Sequence, residues 1–146
     1  MAFRFPLAAV LKLRESIERR EYLALGRVHQ EISQVDAQIR LVEQWCAAAA
    51  ETREKETARG VASVHLQDAY DQELSLEKQR NALRATRQEL KIKLQQCIKA
   101  YEIARQKREV LDSLRGRQFE AYKIEQARLE QSRIDDLFLA RRQRDR

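Results

Sequence analysis

Residues that bend or break a chain are scarce here: three glycines and one proline among 146 residues. Each reversal needs backbone angles that Gly, Pro or small polar residues supply cheaply. So few of them allow one or two breaks and exclude a loop-rich globule. Aromatic residues are only 6% of the chain, which argues against a large core. No stretch of about 18 apolar residues occurs, so no membrane-spanning helix is expected. The two cysteines, Cys46 and Cys97, stand in no CxxC and beside no histidine. Free, reduced thiols of a cytosolic protein are the reading they support. His29 and His65 are isolated, and no Gly-rich phosphate loop or nucleophile–base spacing is present. No enzyme activity, cofactor, metal or small-molecule substrate is therefore expected. A two-helix coil also lacks the concavity that shifts carboxylate pKa values and encloses substrates.

What fills the chain instead is charge, 36% of it, together with Ala, Leu and Gln. These are helix formers, and in this proportion they point to long coiled-coil helix. Leu25, Val28, Ile32, Val35, Ile39, Val42 and Cys46 step by three and four in alternation. That is a heptad seam with polar residues between. Upstream, Leu7, Val10, Leu11, Ile17 and Ala24 continue it less strictly. A first helix over about 6–57 follows. Gly60 then suits a helix C-terminus and Ser63 an N-cap, which places a tight turn at about 58–63. A second helix over about 64–142 carries Leu66, Ala69, Leu76, Leu83, Leu90, Leu94, Cys97, Tyr101, Ala104 and Leu111, with Glu73, Arg80, Arg87 and Arg108 interrupting. The fold class is all-α, a single long antiparallel two-helix coiled-coil hairpin whose second helix overhangs beyond residue 115.

Folding about residue 61 sets Val42 near Arg80, Ile39 near Leu83, Ile32 near Leu90 and Leu25 near Cys97. Arginine stems can pack beside valines while their heads reach water. In this register Cys46 and Cys97 lie roughly 30 Å apart at about 1.5 Å per residue, too far for a disulfide. Leu111, Leu114, Ala121, Tyr122, Leu129, Leu137, Phe138 and Leu139 give the overhang a ragged apolar face, which reads as a docking segment for another protein or else as a frayed tail.

The opening stretch MAFRFPLAAVLKLRE is apolar and basic. Its apolar run is short for a secretory signal, and no small-residue cleavage site follows. Glu15, Glu18 and Glu21 come at once and the helical pattern continues, so the segment is expected to remain as the start of the first helix. Pro6 suits the first helical position.

The net charge of +6 is unevenly placed. Residues 1–30 and 104–146 carry an excess of bases, whereas 31–103 carry eleven bases and twelve acids. Antiparallel folding brings the two positive ends together. A basic end can meet nucleic acid, acidic lipid or an acidic protein surface. Nucleic acid is disfavoured, because acids are interleaved with the bases and only Arg141, Arg142, Arg144 and Arg146 form a run.

The opening Phe3, Phe5, Leu7, Val10, Leu11, Leu13 and Arg14 resembles the start of the FliJ family of flagellar export proteins. The turn Gly60-Val61-Ala62-Ser63 resembles that family's reversal. The C-terminal stretch through Arg108, Glu109, Leu111, Leu114, Arg115, Gln118, Tyr122, Glu125, Arg128, Asp135 and Asp136 is also similar. The resemblance implies a non-enzymatic stalk-like component of the flagellar type III export apparatus. It is expected to be cytoplasmic and peripherally associated with the inner-membrane export machinery. Its implied partners are the export ATPase hexamer, the export gate membrane protein and export chaperones. The ATPase is expected to meet the terminal half near Leu11, Arg14, Leu111, Arg115 and Tyr122. Matched onto this chain, the family's gate-facing patch involves Gln38, Val42, Trp45, Gln72 and Leu76. Gln72 stands where an aromatic is expected, with Tyr70 as a substitute. The alternative reading is a generic basic coiled-coil module for nucleic acid or anionic membrane.

Overall fold

The computed structural model describes residues 2–60 and 62–145. Two helices take up nearly all of them, α1 at Ala8–Ala58 and α2 at Ser63–Arg144, with no strand among the described residues. Pro6 and Leu7 form a turn ahead of α1, closed by the Ala8 N–H donating to the Phe5 carbonyl at 3.1 Å. Pro6 thus lies before the helix rather than at its first position. Its fixed φ shapes the lead-in turn.

α1 ends where a left-handed residue becomes available. Gly60 has φ +70°, and its N–H donates to the Thr57 carbonyl at 3.2 Å. Glycine adopts these angles without the Cβ clash that other residues suffer. α2 is capped by backbone rather than by Ser63. The Ala62 carbonyl accepts from His65 and Leu66, and Ser63 is the first helical residue. Val61, in the turn, and Arg146, in the terminal basic run, lie outside the described residues.

By their contacts the residues divide into two compact units. The turn unit, Glu21–Tyr101, is an antiparallel helical hairpin. Its seam on α1 is the expected one: Val28, Val35, Ile39 and Val42 are buried, and Leu25, Ile32 and Cys46 half-buried. Leu76, Leu83, Leu90, Leu94 and Cys97 of α2 are half-buried against it. Among the described residues no side chain reaches complete burial, since a pair of helices has only one interface. Both cysteines are free thiols.

Four cross-helix pairs fix the register of this unit. The Tyr22 and Tyr101 rings lie 5.9 Å apart, Arg87 meets Asp36 at 3.0 Å, Arg84 meets Glu43 at 3.0 Å and Arg53 meets Glu73 at 2.8 Å. The expected pairing of Val42 with Arg80 is therefore displaced by up to about one helical turn. The arginines that interrupt the α2 seam send their stems along it and their heads to acids. Arg80 reaches Glu77 on its own helix at 3.5 Å, and Arg87 reaches Asp36 across the interface.

The terminal unit comprises Met1–Arg20 and Glu102–Arg146. Its two segments are again antiparallel. Phe3 packs on Phe119 and Tyr122, with ring centroids 5.3 and 5.5 Å apart, and Glu18 pairs with Arg108. Leu11, Ala104 and Phe5 are buried within it. From residue 127 to 145 every side chain of α2 and its end is exposed.

Candidate functional site

The terminal unit carries the whole charge excess. It holds seventeen basic and eleven acidic side chains, against twelve of each in the turn unit. Within it, part of the charge is paired locally. Arg105 donates to Glu109 at 2.8 Å and Lys123 meets Glu120 at 2.6 Å, both within α2. Arg108 bridges the two segments. Its guanidinium donates to Glu18 across the interface and to Asp112 one turn along at 2.7 Å. The hydrogen bonds to Glu18 first, then Asp112, raise its pKa above the ordinary arginine value. Charge-assisted, forked pairing of this kind suits a half-buried seam position.

The residues expected to meet an ATPase divide into two sets. Leu11 is buried at 4% exposure in the helix interface, so its role is to hold the unit closed. Arg14, Leu111 and Tyr122 are half-buried, with Tyr122 against Phe3. Arg115 alone of the five is exposed. It borders two shallow clefts that share Phe3 as a wall. One, of about 500 Å³, adds Arg4, Lys12 and Glu15, and the other adds Asp112, Gly116 and Phe119. The Phe3 stack was not anticipated from sequence, although three aromatics near the two chain ends were the available signal.

In the turn unit the structure brings Trp45, Gln72 and Leu76 onto one open groove of about 640 Å³. Ala48, Ala49 and Ala69 form part of its walls, and Glu56, His65 and Asp68 line it too. The small side chains leave the space between the helices that Trp45, 48% exposed, overlooks. The run Ala47–Ala50 is the sequence signal for this groove. Val42 is buried in the seam below and is not available on the surface of the closed hairpin. Gln38 and Tyr70 are exposed but outside the groove.

No cluster of three or more His, Cys, Asp or Glu side chains that could hold a metal exists among the described residues. None of the described helices is long and apolar enough to cross a membrane. What the arrangement offers is surface: a basic, aromatic-edged face in one unit and an alanine-lined groove in the other.

Compared with models of protein families, residues 3–146 match the family described as Flagellar FliJ protein. No curated protein and no solved structure matches the chain.

Proposed function

This chain belongs to the FliJ family of flagellar export components, and from that premise we propose that it is the stalk-like partner of the flagellar export ATPase. The terminal unit enters the ATPase ring, and the turn unit presents the Trp45 groove to the export gate. The observation that carries this reading is the segregation of charge. All of the net +6 lies in the unit bearing both chain ends, while the turn unit is neutral. A neutral turn unit and a basic terminal unit suit two different partners, one of them acidic.

Binding rather than catalysis is the chemistry on offer. Arg115, Arg4 and Lys12 supply charge, and Phe3 with Phe119 supplies an aromatic edge, the mixture that protein interfaces favour. The exposed end of α2, with Ile134, Leu137 and Phe138 each at least 59% exposed, extends that contact along a ring wall. Trp45, Gln72 and Leu76 on one groove support the gate-facing patch, with Gln38 and Tyr70 at its margin and Val42 beneath. Export chaperones are further partners of the same apparatus. The protein acts at the cytoplasmic face of the export machinery, held there through protein contacts.

The test is to mix the purified chain with the cognate export ATPase. Hexamer formation and raised ATP turnover support the stalk reading. No change in either, combined with steeply salt-dependent DNA binding, supports the generic basic module instead.

A further inference from the structure

Gly116 lies within α2, where nothing in the fold asks for glycine. Only Gly60 among the described glycines has a positive φ. A Cβ built on Gly116 would meet no atom within 4 Å. Glycine is the poorest helix former after proline, so an alanine here would strengthen α2 at no steric cost. The missing side chain does nothing for the chain itself.

Its surroundings say what it can do. Gly116 shares a shallow cleft with Phe3, Arg115 and Phe119, and the Phe3 ring stands against Phe119 as a ridge. Across the ridge the neighbouring cleft brings Arg4 and Lys12 beside the same Arg115. Arg4, Lys12 and Arg115 form no ion pair among the described residues, in contrast to Arg105, Arg108 and Lys123 of the same unit. Of the two acids at the clefts, Asp112 is already held by Arg108 at 2.7 Å, and Glu15 stands alone against three bases.

We propose that Gly116 marks the crossing point of an acidic helix from the ATPase, whose backbone packs into the notch left by the absent Cβ. This deepens the reading above and rests on it. Small residues let two helix backbones approach closely. Phe3 and Phe119 flank the crossing with apolar surface, and Arg115, Arg4 and Lys12 find carboxylates beyond the single Glu15 that their own chain brings to the cleft. A second copy of this chain is a poor occupant, since two such units repel each other through their shared positive charge. A polyanion would use the bases but has no use for a glycine notch.

Gly116→Ala and Gly116→Leu in the full-length chain separate these cases. Both are expected to raise the thermal midpoint, by about 2–4 °C for alanine. Affinity for the cognate ATPase hexamer should fall as the side chain grows, by about tenfold or more for leucine. Arg115→Gln should weaken binding and flatten its salt dependence. DNA binding, if any, should be indifferent to Gly116. Undiminished ATPase binding by Gly116→Leu overturns the proposal, as does a lowered midpoint for Gly116→Ala, which would mean that the fold itself needs glycine. A wild-type chain that fails to bind the ATPase overturns the stalk reading and this inference with it. That outcome is recognisable because the parent fails, not the variants alone.

Discussion

Glu18 and Arg108 occupy seam positions where an apolar residue would be expected, and their pair is the sharpest test of how the terminal unit is held. Their side chains are 17% and 25% exposed, so the pair is sheltered but not sealed from water. Arg108→Met removes two hydrogen-bonding contacts to Glu18, through Nε and Nη2, the latter at 3.4 Å. Charge-assisted bonds contribute about 1.5–3 kcal/mol each at most. Partial exposure and the long second contact reduce this, so the expected loss is about 2 kcal/mol. Much of that loss is the cost of leaving the Glu18 carboxylate half-buried and unpaired. Glu18→Leu should cost less, because Arg108 keeps Asp112 at 2.7 Å. The double variant should return to near the parental stability or exceed it, since it extends the apolar seam. Urea unfolding followed by circular dichroism gives the three free energies. A coupling energy of about 2–3 kcal/mol is expected. Additivity within about 0.5 kcal/mol would show that the pair is ornamental and refute the reasoning.

Three further outcomes follow from the same geometry. Gly60→Ala forces a Cβ into φ +70° and should cost about 1 kcal/mol in urea unfolding despite the open space around it. Val42→Ala should destabilise by about 2 kcal/mol because the side chain is buried, whereas Trp45→Ala, whose side chain is half covered, should cost about 1–2 kcal/mol while weakening gate-protein binding in a pull-down or calorimetric titration by more than Val42→Ala does. Ending the chain after Gln126 should leave the thermal midpoint within a few degrees of the parent, since no side chain from 127 to 145 is buried, yet lower ATPase stimulation; a collapse of the midpoint would show that the exposed end stabilises the rest.

Periodicity alone was enough for the two helices and for the face each one buries. Leu25 to Cys46 step by three and four because only that spacing keeps a stripe on one side of a helix, and the stripe is the one found in the interface. The reversal was equally legible, since Gly60 is the residue that tolerates a left-handed backbone at the end of α1. Family membership was also readable from residues at both chain ends and at the turn, and the family match covers residues 3–146.

Register was legible only to within about a turn, and the surfaces that depend on it were not legible. A heptad stripe looks much the same after sliding by a turn, so the choice falls to specific partners: Glu73 for Arg53, Asp36 for Arg87 and Glu18 for Arg108. In the sequence Glu73, Arg87 and Arg108 read as breaks in a seam. Only when the helices lie side by side do they become pairs, because an ion pair depends on distance across the interface and not on spacing along the chain. The same holds for the groove beside Trp45 and for the notch at Gly116. Each is a space left by small side chains between or upon helices, and empty space is a property of the assembled fold, written in no single residue.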